Sequence, residues 1–237
     1  METTNVNDYE PGVLRVFQSK EETKVFYNKI AGVYDLLSEH AERPMREKGL
    51  AMLSAQPGEK ILEVGFGTGH CLVNLAKSVG VEGRVYGIDI SEKMAAIADD
   101  LVARENLSDR VELTCGDAEF SPYRSDSLDA VFTSFTLELF DTPKLPEVLR
   151  DWKRVLKPGG RLVVVALSKV GNQGIVMKAY EWSHRHFPNL IDCRPIYVER
   201  AIDAACFTAI EVSVEHMWVP VEIVLASVPR KYSYASA

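Results

Sequence analysis

A short apolar strand that runs straight into alternating glycines constrains this chain more than any other feature. Ile61, Leu62, Glu63 and Val64 read as a strand, Gly65 to Gly69 as a glycine loop with Phe66 and Thr68 between, and Cys71 to Val79 as a helix. Glycines at alternate positions let the backbone leave a strand sharply, with φ values that other residues resist. They also leave bare main chain for a flat ligand, while the helix that follows turns its N–H groups toward the ligand's polar end. Such a strand, loop and helix belong at the carboxyl edge of a parallel sheet, where nucleotide-type cofactors sit.

The rest of the chain supplies that sheet. Strand patterns near 60–64, 84–88, 110–115, 128–134 and 161–167 alternate with helical ones near 69–79, 92–105 and 143–156. This predicts right-handed βαβ units in one α/β domain. Thr142 is expected to cap the last of those helices with Pro143 at its first position. Pro158, Gly159 and Gly160 are expected to form the turn into the fifth strand. Upstream, Val25, Ile30, Val33, Leu36, Leu37, Met45, Leu50 and Leu53 predict helix from Lys20 to about Ser54, kinked or divided by Pro44. Residues 1–18, broken by Pro11 and Gly12, read as a loosely held arm. Downstream, Asn172–Phe187 and Ile196–Ala205 read as helices, and Ile210–Trp218 with Val221–Val228 as a terminal hairpin. That hairpin leaves one strand antiparallel.

Composition removes several function classes. The net charge is −7 with no run of Lys or Arg, which argues against a nucleic-acid partner. Cys71, Cys115, Cys193 and Cys206 are scattered, so neither a metal site nor a disulfide framework is indicated. Cys71 and Cys115 are expected to be buried, and Cys193 is expected to be buried or simply exposed, with a place at a substrate pocket as its alternative. The N-terminus has neither a basic nor an apolar region, and the longest apolar run, Leu162 to Leu167, is too short to span a bilayer. A cytoplasmic protein without an integral membrane segment is the expectation, either monomer or homodimer.

The loop spacing narrows the cofactor. A dinucleotide fingerprint wants a third glycine where this chain has His70. Asp89, at the tip of the second strand, suits the two hydroxyls of a ribose. Asp117, at the tip of the third, suits an adenine amino group, and a plain nicotinamide reading leaves it without a task.

With these pieces the chain resembles the class I S-adenosylmethionine-dependent methyltransferases. The matching segments are Glu63–Gly69, Gly87–Ser91, Gly116–Ala118, Ser127–Phe132 and Arg154–Leu162, in the order the family uses. Ala31, Tyr34 and Asp35 resemble the opening helix of the ubiquinone/menaquinone-biosynthesis-like branch in particular. The resemblance implies a Rossmann-like three-layer sandwich with a seven-stranded, mostly parallel sheet and one antiparallel strand. It implies S-adenosyl-L-methionine as cofactor and S-adenosyl-L-homocysteine as product. The cofactor residues it implies are Tyr27, Tyr34, Glu63, Gly65, Gly67, Thr68, Gly69, Asp89, Ile90, Met94, Asp117, Ala118 and Ser134. Residues 1–54 would be a helical lid over the cofactor site, and 55–237 the methyltransferase domain, with 168–200 an acceptor-side insertion.

Methyl transfer from a sulfonium is an in-line displacement that needs alignment and a dry site, and a base only when the acceptor must first lose a proton. His184, His186 and Glu138 are the candidates for such a base. His184 and His186 are two positions apart on a helical pattern and point to different faces, so a two-histidine metal clamp is not expected. His70 lies either near the cofactor's carboxylate or exposed on the first helical turn. Phe135 is either an acceptor-pocket wall or a core aromatic, and Arg194 either holds an acidic acceptor or sits solvated at the surface. The region after the fourth strand lacks the Asn/Asp-Pro-Pro-Tyr of DNA-adenine methyltransferases and the cysteine of arsenic methyltransferases. The expected function is methylation of a small, apolar or aromatic metabolite. The alternatives are a non-catalytic S-adenosylmethionine-binding protein and a nicotinamide-dependent oxidoreductase.

Overall fold

The computed structural model describes residues 13–16, 18–32, 34–171 (34–40 in backbone alone), 174, 177, 180, 182–183 and 193–230. Helices α1 (Lys20–Ile30) and α2 (Tyr34–Leu53) precede β1 (Lys60–Val64), α3 (His70–Val79), β2 (Arg84–Asp89), α4 (Glu92–Arg104) and β3 (Val111–Cys115). Then come β4 (Leu128–Ser134), α5 (Leu145–Val155), β5 (Leu156–Leu167), α6 (Val198–Ala204), β6 (Thr208–His216) and β7 (Pro220–Ser227). The strands form one sheet in the order β3-β2-β1-β4-β5-β7-β6. All pairs from β3 to β5 are parallel, and β7 runs antiparallel to both β5 and β6.

Strand alternation splits the core into two layers. Ile61, Phe132 and Val163 join one apolar cluster with Leu72 and Leu75 of α3, while Leu62, Val131 and Val164 join another with Trp152 of α5. Neighbouring residues on a strand point to opposite faces, so a sheet covered on both sides needs apolar residues at every position. This is why Leu162–Leu167 of β5 reads as an unbroken apolar run. The chain leaves β1 toward β2 on one side and later returns to β4 on the other. That reversal opens a crevice at the strand tips.

Several expectations shift. The N-terminal helix runs through Pro44 and is divided instead around Gly32. Asp141, not Thr142, is the cap: its side chain accepts from the Thr142 N–H at the head of a 3-10 turn, and α5 starts only at Leu145. The Pro-Gly-Gly segment lies within β5, where pairing with β4 jumps from Leu156 to Arg161, so it is a bulge in the strand. Cys71 is buried, but Cys115 is exposed. Of the helix expected over 172–187, Met177, Tyr180, Trp182 and Ser183 are helical and most of the remainder lies outside the described residues. Among the described residues no helix is long and apolar enough to cross a membrane, and no cluster suits a metal ion.

Candidate cofactor and acceptor site

The glycine loop is pinned by its neighbours. The Gly65 N–H donates to the Ile88 carbonyl at 2.8 Å, which ties the loop to β2. Gly65 has φ +70°, and a Cβ there would lie 2.1 Å from the Thr136 hydroxyl. No other residue fits without moving the segment after β4. At Gly67, φ is +51° and a Cβ would meet nothing within 4 Å. The backbone there faces open space, and its N–H donates to Asp89 Oδ2 at 2.9 Å. The other Asp89 oxygen accepts from the Ser91 N–H at 2.9 Å, and Ser91 in turn caps α4 through the Met94 N–H. Burial pushes the Asp89 carboxyl above its ordinary value, against the pull of these N–H donors.

A cavity of about 380 Å³ opens over these strand tips. Of the residues expected at a cofactor, Tyr27, Gly65, Gly67, Asp89, Ile90, Met94, Asp117, Ala118 and Ser134 line it. Phe135, Leu139 and Phe140 line it too, together with Thr136, Asp141 and Lys144. Phe135 thus serves both readings, being buried and on the cavity wall. Glu63 and Thr68 line a smaller recess beside the loop instead, together with His70 and with Glu42 and Arg46 of α2. Gly69 lies on neither wall; it caps α3 and packs against Ala98. The side chain of Tyr34, and His184 and His186 altogether, lie outside the described residues.

Glu63 is 2% exposed, and its Oε2 has no hydrogen-bond partner. Burial holds its carboxyl well above the ordinary range, with Arg46 pulling down and Asp89 pushing up. Glu138 sits in the 3-10 turn Leu137–Leu139 and is fully buried. Its Oε1 accepts from the Leu167 N–H at 3.1 Å, and burial pushes it up to about 8. It does not line the cavity, whose wall is made by its neighbours Phe135 and Leu139. Glu138 therefore ties that wall to the end of β5 rather than facing the acceptor. Arg194 corrects its expectation: it is 0% exposed and donates from Nη2 to the Phe140 carbonyl at 2.5 Å. It supports the same wall from behind.

The N-terminal segment also contributes to the cavity wall, through contacts that the sequence pattern did not indicate. Val16, Gln18, Lys20 and Thr23 all line the cavity. Lys20 pairs with Asp117 and, at 2.7 Å, with Glu119. Arg15 pairs with Asp141 at 2.6 Å, Lys24 with Glu92, and Asn28 bonds to both Glu92 and Ser91. Asp117 Oδ1 accepts from the Glu119 N–H at 2.9 Å, so Asp117 is already engaged on both oxygens.

The arrangement suits a ligand with a flat polar end. Gly67 leaves room for it, Asp89 offers a carboxylate at the place where ribose hydroxyls would lie, and the orphan oxygen of Glu63 calls for a cationic donor. These are the groups that S-adenosylmethionine presents, so the residues fit that cofactor.

Comparison with known proteins agrees. The sequence family described as "Methyltransferase domain" matches residues 61–160. A demethylmenaquinone methyltransferase of Lactobacillus johnsonii is 33% identical over 167 residues, covering 69% of this chain and 67% of the relative. The ubiquinone/menaquinone biosynthesis C-methyltransferase UbiE of Hydrogenovibrio crunogenus is 31% identical over 166 residues, covering 68% and 64%. The match thus spans about two thirds of the length of these relatives. Among solved structures, the cyclase SpnF aligns with a TM-score of 0.75 at 18% identity, over 93% of this chain and 99% of that one. That last likeness is one of fold.

Proposed function

The chain belongs to the class I S-adenosylmethionine-dependent methyltransferases, in the ubiquinone/menaquinone-biosynthesis branch, and from that premise we propose that it methylates a small, quinone-like aromatic acceptor. The observation that supports the acceptor class is that Phe135, Leu139 and Phe140 line the same cavity as Asp89 and Asp117. A ring with little hydrogen-bonding capacity is recognised by such a wall, whereas a sugar or a nucleotide acceptor would leave its polar groups unmet.

The cofactor supplies an electrophilic methyl group on a sulfonium. The chain's own residues supply alignment and exclusion of water, an advantage that reaches roughly 7–11 kcal/mol in well-oriented reactions. Asp89 would hold the ribose, Gly65 and Gly67 would leave the main chain open to it, and Ser134 lines the same cavity. Tyr27 and the helices of residues 1–54 would form the lid, and 168–200 would complete the acceptor side. His184 and His186 are proposed as the base where the acceptor must lose a proton. The nicotinamide reading falls with the family assignment.

The test is a labelled-methyl assay of the purified chain against demethylated quinones, with the product identified by mass. A gain of one methyl on a ring carbon is the expected result. Failure of S-adenosylhomocysteine to bind to the folded chain in calorimetry would refute the reading.

A further inference from the structure

Lys20 meets two carboxylates at once. From the first position of α1 its ammonium reaches Asp117 and, at 2.7 Å, Glu119, and all three residues line the cavity. The two acids are not equivalent. Asp117 lies just past the end of β3, with its Oδ1 already accepting from the Glu119 N–H at 2.9 Å and its Oδ2 held by Lys20. Its side chain is 39% exposed, whereas that of Glu119 is 10% exposed and has a second ammonium, Lys144, at 3.9 Å.

The Asp117 oxygen that Lys20 holds is the one a purine amino group would ask for. A neutral N–H arriving there has to displace the ammonium or share the oxygen with it, and a carboxylate already paired with a full positive charge is the weaker acceptor. Sending the ammonium into bulk water would sacrifice the ion pair. Glu119 removes that loss, because the ammonium already lies within hydrogen-bond distance of it and has nowhere to travel. We propose that Lys20 is a built-in competitor for Asp117, and that Glu119 sets ligand affinity by keeping the ammonium when an adenine amino group takes the shared oxygen. The inference rests on reading the cavity as an S-adenosylmethionine site and extends it: affinity is governed by an exchange of ion pairs and not by Asp117 alone. Through that exchange α1 stays attached, since Lys24 remains on Glu92 and Asn28 on Ser91.

Calorimetry on the unaltered chain, Lys20→Met, Glu119→Gln and the double variant tests this without any methyl acceptor. Lys20→Met is expected to bind S-adenosylhomocysteine about twofold to fivefold more tightly, the range for removing one exposed ion pair. Glu119→Gln is expected to weaken binding by a similar factor, because the ammonium is then left with Asp117, and to change nothing once Lys20 is replaced. A second probe, the same thioether with hydrogen in place of the adenine amino group, makes no claim on Asp117 and should bind the unaltered chain and Lys20→Met alike. The competitor is wrong, and the cofactor reading stands, on any of three results: Lys20→Met weakens S-adenosylhomocysteine or leaves it unchanged, it tightens both probes equally, or Glu119→Gln acts equally with and without Lys20. If the unaltered chain binds no S-adenosylhomocysteine, both fall together.

Discussion

The floor of the cavity and its roof are held in place by different physics. The floor, from Gly65 to Gly69 and the tips of β2 and β4, is locked by contact: Gly65 against Thr136, Gly69 against Ala98, and Phe66, Leu72 and Phe132 inside the apolar core. The roof, helix α1, has no fully buried residue. It reaches the body of the protein through Lys20, Lys24 and Asn28, each meeting an acidic or hydroxyl partner. Close packing is short-ranged, insensitive to salt and intolerant of a single added methyl group. Exposed ion pairs are worth little each and are screened by salt. The contrast suits the task, since the reacting groups need a rigid seat and the cofactor needs a way in.

The largest break in that contrast should come from Gly65→Ala. The added Cβ meets Thr136 at 2.1 Å, and the residue keeps a φ of +70° that alanine resists. Together these are expected to cost roughly 2–4 kcal/mol of stability, read from urea denaturation, with loss of S-adenosylhomocysteine binding. A cost below about 1 kcal/mol would mean that the loop yields and the floor is not rigid. Gly67→Ala sharpens the point: nothing lies within 4 Å of its Cβ, so the loss there should fall on ligand affinity more than on stability.

The same division decides what the sequence disclosed. The floor was legible because it is contiguous: strand, glycines and helix follow one another, and the alternation of apolar residues reports which positions are buried. The roof was not, because its partners are distant. Lys20 and Asp117 are 97 positions apart, and Arg15 and Asp141 are 126 apart. A polar helix gives no periodic sign of which face it turns inward. Arg194 misled for a related reason. Arginine is usually solvated, and this one is buried where its guanidinium meets the Phe140 carbonyl, 54 positions away. Cys115 failed the other way: its strand looked like core, but β3 is the edge strand of the sheet, and Cys115 at its last position is exposed.

Glu138 extends the test to the apolar wall. Its carboxyl is raised from the ordinary range to about 8 by burial, so the folded state holds its proton more tightly than the unfolded chain does. The stability this gives is fully present below the unfolded value of about 4.3, and it is lost as pH rises through about 8. Glu138→Gln keeps the shape and cannot ionise. The variant should therefore unfold at a higher temperature than the unaltered chain at pH 9, with the gap narrowing steadily as the pH falls and closing only near about 4.3. Equal melting curves at pH 9 would show that the wall accommodates the charge.

A smaller loss is expected at Asp89, where Ala removes the acceptor of the Gly67 and Ser91 N–H groups. Loss of a charged acceptor is worth about 1–3 kcal/mol, and it should appear both as reduced stability and as weaker S-adenosylhomocysteine binding. If stability falls while affinity does not, Asp89 organises the loop without touching the ligand.

The roof should yield the smallest change in stability and the clearest response to salt. Lys20 has a side chain 52% exposed, so Lys20→Met is expected to shift global stability by no more than about 1 kcal/mol. Its effect belongs on α1 itself, whose peptides should exchange backbone hydrogens faster in the variant. Raising sodium chloride from about 0.05 to about 1 M shortens the screening length to about 3 Å and should have the same effect on the unaltered chain. Peptides from β1, α3 and β4 should exchange at the same rate under both conditions, since contact between apolar groups does not depend on screening. Should α1 keep its protection at high salt, the ion pairs are ornaments on a roof that something else holds down. The distinction between a packed floor and an electrostatically fastened cover would then have to be given up.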